Sequence, residues 1–285
     1  MNNYFCGWYF KCQSEQEVFS IIPAIHIENG KRSCSIQVIT LDGAWNVTLP
    51  YCSFYKKRKT KELEFRMGEN YFSMKGISLN LHTQELQLEG NIEFGRAIKI
   101  GYDIMGPFRY IPYMQCRHSV FSMKHTVNGS FILNGKAYDF KNGIGYIEGD
   151  RGYSFPKQYV WTQCCCDNGS IMVSVADIPI ARFHFTGIIG VVYWNGKQYR
   201  FATYLGAKVM KIKNGTVMIR QGNMILTVKQ IEKKEQSLYA PVNGKMQRTI
   251  HESPACKAMY CLEKGGETIF METSEMASFE YEYPF

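Results

Sequence analysis

The sequence predicts an all-β protein, and three observations support that prediction. The 285 residues include 19 Tyr, 18 Phe and 25 Gly, a composition that favours strands and turns. The dipeptide Asn-Gly, which suits the positive φ angles of tight hairpin turns, occurs eight times between runs of β-branched and aromatic residues. No stretch of eleven or more residues has the 3.6-residue periodicity of an amphipathic helix.

Strand-length segments lie between these turns, and the best of them span residues 34–40, 85–92, 171–175, 188–194 and 224–230. Many short strands joined by tight turns leave unpaired edges unless the sheets close on themselves. We therefore expect two antiparallel barrels packed together, with very little helix. Because Pro156 cannot donate to a strand ladder, we place the boundary there and divide the chain into domains 1–155 and 156–285.

The net charge of +8, from 33 basic and 25 acidic residues, is spread evenly over the two halves. A nucleic-acid-binding arm would concentrate it, so no nucleic-acid partner is expected. The first residues show neither the basic region nor the apolar run of a secretory signal, which predicts a cytoplasmic protein with its ten cysteines reduced. No segment approaches the roughly 20 apolar residues that cross a bilayer.

The segment 145–163 concentrates carboxylates, glycines and aromatic rings. In a strand, Glu148 and Asp150 are two positions apart and share one face. On the inner face of a barrel the two carboxylates would repel each other, and one of them would hold a proton near neutral pH, which is how a general acid arises. The alternative is an outward-facing strand end, with Arg151 in a surface ion pair.

A pattern of glycines, an Asn-Gly-Lys turn and aromatic residues occurs twice, starting at Gly129 and at Gly190. The offset of 61 residues is too short for a duplicated barrel of about 140 residues. The two copies are therefore similar hairpins, and either duplication or convergence explains them. The second copy has no counterparts of Glu148 and Asp150, which favours a role for these acids in a site rather than in the hairpin.

Three segments carry a resemblance to a known family: the strand Trp8-Tyr9-Phe10-Lys11, the turn 102–108, and the block 148–163. Over residues 8 to 175 the chain resembles the tocopherol cyclase family. More distantly it is similar to the lipocalin-like superfamily that holds carotenoid 1,2-hydratases and fungal lipocalin-like Diels–Alderases. The resemblance implies two lipocalin-like barrels, an apolar ligand in or between them, and cyclisation or hydration of a prenylated or polyene substrate.

The resemblance also implies a set of site residues. A cyclase or hydratase of this kind needs a buried acid and an aromatic lining for a developing cation. Glu148 or Asp150 is the candidate acid. For any single aromatic ring, packing in an ordinary barrel core is the alternative. The candidate ligand-binding residues are Trp8, Tyr9, Arg117, His118, Arg151, Tyr153, Phe155, Trp161 and Gln163.

His118 and Cys116 are two positions apart and share one strand face, so we considered whether they are ligands of a metal. A zinc site would need a further CxxC or HxxxH pattern, which the sequence lacks, so neither a metal nor another cofactor is predicted. Three interpretations of His118 follow from the sequence: its side chain reaches into a cavity, it pairs with a carboxylate from a neighbouring strand, or it is a structural histidine.

A basic run, formed by Lys56, Lys57, Arg58, Lys59 and Lys61, is a candidate for peripheral contact with an anionic membrane, or a solvated hairpin tip. The sequence contains no phosphate-binding loop, dinucleotide fingerprint or Gly-x-Ser-x-Gly elbow, which argues against nucleotide-driven and serine-hydrolase chemistry.

Two functions of different classes follow. The first is an enzyme that cyclises or hydrates a lipophilic substrate with Glu148 or Asp150 as the acid. The second is a non-catalytic binding or carrier protein for a hydrophobic molecule, in which the acids pair with arginine away from any cavity.

Overall fold

The computed structural model describes residues 3–56, 62–112, 114–180 and 183–283. Strands dominate these residues, and the only helical elements among them are three short 3-10 turns, η1 (Tyr51–Ser53), η2 (Gly106–Tyr110) and η3 (Thr203–Leu205). The prediction of an all-β fold with very little helix is confirmed. The described part of the chain holds no helix that is long and apolar enough to span a membrane.

The first sheet is antiparallel and has eleven strands. They are β1 (Tyr4–Gln13), β2 (Val18–Glu28), β3 (Lys31–Thr40), β4 (Ala44–Pro50), β5 (Phe54–Tyr55), β6 (Glu64–Met67), β7 (Asn70–Ser73), β8 (Gly76–His82), β9 (Gln87–Phe94), β10 (Cys116–Leu133) and β11 (Lys136–Gly152). Each strand pairs with its neighbour in the chain, except that β4 and β5 end the sheet. The last strand, β11, pairs with the first, β1.

The second sheet is also antiparallel and has ten strands. They are β12 (Tyr159–Cys166), β13 (Gly169–Ile180), β14 (Phe183–Trp194), β15 (Lys197–Ala202), β16 (Lys208–Lys213), β17 (Thr216–Gln221), β18 (Met224–Gln230), β19 (Gln236–Val242), β20 (Lys245–Lys264) and β21 (Glu267–Tyr281). Its path ends at β15 and β16, β19 pairs only with β20, and the last strand, β21, again pairs with the first, β12.

Asn-Gly turns build much of this topology, as the sequence predicted. Five of the eight are two-residue hairpin turns in which both residues have positive φ, the conformation that asparagine and glycine tolerate best. They are Asn29-Gly30, Asn134-Gly135, Asn195-Gly196, Asn214-Gly215 and Asn243-Gly244. The remaining three begin at Asn128, Asn142 and Asn168; the first two pairs lie inside long strands.

The first sheet curls around its own hydrophobic core. Trp8 on β1 packs against Phe65 on β6, with ring centroids 4.2 Å apart, although β6 lies near the far end of the sheet path. In the second sheet Trp194 on β14 stacks on Phe270 on β21, with centroids 4.4 Å apart. Each sheet thus encloses one core of buried side chains, as a barrel does.

The chain forms two compact units. The first comprises Met1–Gly101, His118–Ser154 and Tyr239–Arg248, and the second comprises Tyr102–Arg117, Phe155–Leu238 and Thr249–Phe285. The segment 102–117 thus belongs to the second unit, although the residues on either side of it belong to the first, and the segment 239–248 belongs to the first unit, although its neighbours belong to the second. The predicted single boundary at Pro156 does not account for these two segments. The division into two independent domains, 1–155 and 156–285, stays a prediction.

The repeated hairpin motif is now placed in both units. Its first copy joins β10 to β11, the last two strands of the first sheet, whereas its second copy joins β14 to β15, the third and fourth strands of the second sheet. These positions are not equivalent in the two topologies. The repeat is therefore one hairpin pattern used in two places.

Candidate acid–base site

The strand faces decide where the predicted acids point. On β1 and β11, Phe10 and Ile147 are cross-strand partners and both belong to the hydrophobic core of the first unit. The next cross-strand pair, Tyr9 and Glu148, points to the opposite face because successive side chains alternate. Asp150, two residues on, shares that face. The acids lie on the face turned away from the core, not on the inner face of a barrel.

His118 on the adjacent strand β10 lies between the two acids. Its Nε2 atom is 3.0 Å from Glu148 Oε2, and its Nδ1 atom is 3.0 Å from Asp150 Oδ1. The side chains of His118 and Glu148 are 8% and 5% exposed, whereas that of Asp150 is 23% exposed. One buried imidazole therefore bridges two carboxylates, and only Asp150 is substantially open to its surroundings.

The charges of this cluster fix its protonation. Burial opposes a positive charge on His118, but the neighbouring carboxylates of Glu148 and Asp150 more than offset it and hold the pKa of the imidazole well above its ordinary value. His118 is therefore an imidazolium at neutral pH. It lies between the two acids that were expected to repel each other, and the formal charges of the three side chains sum to −1.

Tyr146 completes the cluster. Its hydroxyl donates a hydrogen bond of 2.6 Å to Glu148 Oε2, and the residue is fully buried. Lys11, the cross-strand partner of Tyr146, shares the same face and is only 1% exposed. The sequence analysis assigned no function to either residue. Strand alternation in the sequence could have identified Tyr146, because Tyr146, Glu148 and Asp150 are two positions apart and share one face.

The other site candidates of the first unit are distributed over both faces. Tyr9 lies opposite Glu148, on the same face, and its hydroxyl is 3.0 Å from Ser20 Oγ. Trp8 lies on the other face, inside the hydrophobic core, so it does not share a face with Glu148, and its binding of a ligand stays a prediction. Arg151 is exposed, and the carbonyl of Tyr153 accepts a 2.7 Å hydrogen bond from Gly244.

Four candidates belong to the second unit. Arg117 donates to the carbonyl oxygen of Ile111 at 3.0 Å, and Gln163 is buried with its Nε2 atom 3.0 Å from Cys165 Sγ. Phe155 packs edge-to-face on Tyr159, and Trp161 is buried. Their binding of a ligand stays a prediction. Of the basic run, Lys57, Arg58, Lys59 and Lys61 lie outside the described residues, while Lys56 lies over the ring of Trp8.

The ligand atoms of His118, Glu148 and Asp150 lie within 4.8 Å of one another, close enough to surround a metal ion. Both imidazole nitrogens already contact a carboxylate oxygen, however, and an imidazolium has no lone pair to offer a metal. A metal would have to displace a proton that the two carboxylates stabilise. The arrangement suits proton chemistry better than metal binding.

No family model matches this chain, and no curated protein matches it in sequence. Solved structures do match. Kievitone hydratase from Nectria haematococca superposes with a TM-score of 0.54 at 9% identity, over 98% of this chain and 89% of that one. CghA gives a TM-score of 0.62 at 8% identity, over 98% and 88%. A candidate AttH from Nitrosomonas europaea gives 0.57 at 9% identity, over 98% and 93%.

The likeness is one of fold. It covers nearly the whole of each chain, so both sheets take part in it, and it confirms the prediction of a lipocalin-like all-β architecture. At 8 to 9% identity the neighbours transfer no site residues to this chain. The assignment to the tocopherol cyclase family in particular stays a prediction.

Proposed function

We propose that this protein binds an apolar small molecule containing an alkene, of the prenylated or polyene class, and adds a proton to it, so that hydration or cyclisation follows. The observation that supports this proposal best is the imidazolium of His118, held between the carboxylates of Glu148 and Asp150. Acid-catalysed addition to an alkene needs a positioned proton donor and a negative charge near the developing cation. This cluster supplies both.

Each residue of the cluster has a distinct task in the proposal. Asp150 is the most accessible of the three side chains, so it meets the substrate and passes to it a proton taken from His118. His118 contacts Asp150 through Nδ1 and is the source of that proton. Glu148, fixed by the hydroxyl of Tyr146, contacts Nε2 and keeps the imidazole charged and oriented. Glu148 and Tyr146 are thus positioning residues.

The proton balance closes without any cofactor. The alkene π electrons take the proton that His118 passes to Asp150 and leave a carbocation, which the negative charge of the two carboxylates stabilises. A water molecule, or a hydroxyl of the substrate itself, then bonds to the cationic carbon and loses one proton, which returns through Asp150 to His118. The net reaction is addition of water in the first case and ring closure in the second.

The structural neighbours support the same class of chemistry. One is named a hydratase, and CghA has been crystallised with Sch210972, in a structure that matches this chain with a TM-score of 0.60. These are properties of the neighbouring proteins. They support testing the present chain first for binding of a small-molecule ligand.

Deuterium incorporation tests the proposal. The protein is incubated in D2O with a panel of prenylated phenols and polyenes, and the products are analysed by mass spectrometry. We expect a product with one deuterium on carbon, which D150N should lose, because the amide keeps the shape but cannot deliver the proton. D139N is the matched control, since Asp139 is an exposed acid on the same strand, β11, and it should retain full incorporation.

The same panel distinguishes the carrier function. A compound that binds and is released chemically unchanged, with no deuterium on carbon, would make the protein a binding module. Equal turnover by D150N and the native chain would place the acid elsewhere and overturn the assigned site.

A further inference from the structure

A basic surface lies on the second unit, at the end of its sheet opposite to β15. On β16, β17 and β18 the residues that face away from the core form three rows across the strands, and each row begins with a lysine of β16. The rows are Lys208-Arg220-Ile225, Lys211-Met218-Thr227 and Lys213-Thr216-Lys229. We call these nine residues the β16–β18 face.

The direction of these side chains follows from the core. Val217 and Ile219 on β17, and Leu226 and Val228 on β18, belong to the hydrophobic core of the second unit. Residues that alternate with them must therefore point outward. On β16 a bulge at Met210 keeps the three lysines in register with β17.

The charge of this face is one-sided. Lys208, Lys211, Lys213, Arg220 and Lys229 are all exposed, and none of the five forms an ion pair with a described residue. The nine residues include no acid. Lysines on an edge strand often serve only to prevent edge-to-edge aggregation. That explanation covers β16 but not Arg220 and Lys229, which extend the charge onto two inner strands.

Apolar side chains continue the central row of the face, whereas the first row continues from Ile225 to Glu263 on β20. The central row runs on from Thr227 to Cys261 on β20 and then to Met271 on β21. Met271 is 65% exposed, and Met210 in the bulge is 57% exposed. Unbranched methionine side chains on a basic surface adapt readily to a soft apolar environment. None of the nine residues is aromatic, so the face lacks the rings on which nucleic-acid bases stack.

We propose that the β16–β18 face is a docking surface for an anionic membrane. Five cations complement the negative headgroups, and the exposed methionines enter the apolar layer beneath them. The surface is distinct in sequence from the basic run at Lys56 to Lys61, and it does not depend on the chemistry proposed for His118.

Vesicle flotation of the full chain tests this inference. Vesicles of phosphatidylcholine mixed with phosphatidylglycerol should carry the protein upward, vesicles of phosphatidylcholine alone should not, and raising the salt concentration should weaken the binding. The triple variant K211Q/K213Q/R220Q should bind roughly a hundredfold more weakly, since each basic side chain near an anionic surface contributes several-fold. The charge-retaining variant K211R/K213R should bind like the native chain.

The matched control is K31Q/K75Q/K197Q, which removes three exposed lysines at hairpin turns elsewhere. It should bind anionic vesicles like the native chain. Failure of the native chain to bind these vesicles would overturn the inference, and so would equal losses in the two triple variants. Tight binding to single-stranded polyuridylate with no binding to vesicles would assign the face to nucleic acid instead.

Discussion

The two units bury carboxylates at the same place in their topology but surround them differently. In the first unit, Glu148 lies on the last strand, opposite Tyr9 of the first strand, and faces away from the core. In the second unit, Glu280 lies on the last strand, opposite Trp161 of the first strand, and also faces away from the core. A tyrosine hydroxyl bonds each carboxylate, from Tyr146 in the first unit and from Tyr159 in the second.

The difference lies on the strand before the last. In the first unit that strand supplies His118, which contacts both acids, whereas in the second unit it supplies Glu252 directly opposite Glu280. The histidine places a cation between the acids of the first unit, whereas the residue opposite Glu280 on β20 is a second acid. The comparison therefore points to His118 as the residue that makes the first unit the catalytic candidate.

The second copy of the repeated hairpin has no counterparts of Glu148 and Asp150, but it does not occupy the equivalent position in the second sheet. The strand equivalent to β11 is β21, not the strand that follows Asn195-Gly196, and β21 carries Glu280. The two units share one buried acid on the last strand, Glu148 in the first and Glu280 in the second, but on the strand before it the first unit has His118 and the second has Glu252.

Removing the histidine should produce the largest effect. H118A leaves Glu148 and Asp150 without the cation between them, and we expect the free energy of unfolding to fall by about 4 kcal/mol. The control is H184A, because the exposed pair of His184 with Asp177 in the second unit has a similar contact distance of 3.2 Å but should contribute less than about 1 kcal/mol. Urea denaturation measures both. Equal losses of unfolding free energy in H118A and H184A would mean that the buried contacts of His118 stabilise the fold no more than the exposed pair of His184 does.

The pH dependence of stability should separate His118 from the two other buried histidines of the first unit. Burial lowers the pKa of His26 and of His125 to about 4. Between pH 6.5 and 4 the unfolded chain therefore binds more protons, and stability falls as the pH falls, by up to roughly 3 kcal/mol for each residue. His118 has the opposite sign, because its stabilisation is complete below about pH 6.5 and is lost as the pH rises through its raised pKa.

Unfolding free energies of the native chain and of H118Q, measured from pH 4 through neutral into the alkaline range, test the assignment. H118Q should lack the alkaline decrease and keep the acidic one. A variant whose acidic decrease disappears instead would reverse the assignment of the histidines.

The two copies of the hairpin motif should differ at their first glycine. Gly129 has a φ of +119°, and a methyl group on it would overlap the backbone oxygen of Asn91. At Gly190 a methyl group would lie 3.3 Å from the oxygen of Met172, a tight contact that small shifts relieve. We expect G129A to lose about 2 kcal/mol of unfolding free energy and G190A less than about 1. Equal losses would argue that the two hairpins are structurally equivalent after all.

The smallest effect should come from the tyrosine on Glu148. Y146F removes one hydrogen bond to a buried charged group, and we expect a loss of about 1.5 kcal/mol in unfolding free energy. The control Y71F removes the 3.1 Å hydrogen bond from Tyr71 to the less buried Glu64 and should cost less than about 1 kcal/mol. An unchanged unfolding free energy in Y146F would mean that the hydroxyl of Tyr146 does not position Glu148.

The fold could be predicted from local chemistry, since Asn-Gly turns and strand composition act over a few residues. Glu148, Asp150 and His118 could be named as candidates for the same reason. Their arrangement could not be predicted, because the inward residues of β11 change from even positions, Tyr138 and Phe140, to the odd position Ile147. Asn142, with a φ of +55°, lies where that change occurs. A one-residue change in the alternation of a strand moves every later side chain to the opposite face, and the sequence pattern alone did not show that β11 changes its alternation near Asn142.

The protonation of His118 tests the account most directly, because the proposed chemistry needs an imidazolium between Glu148 and Asp150. Nitrogen-15 spectra of the histidine side chains, assigned with H118Q, report the state of each ring nitrogen. At pH 7.5 we predict that both nitrogens of His118 carry protons, while the rings of His26 and His125 are neutral. A neutral His118 ring at that pH would contradict the account.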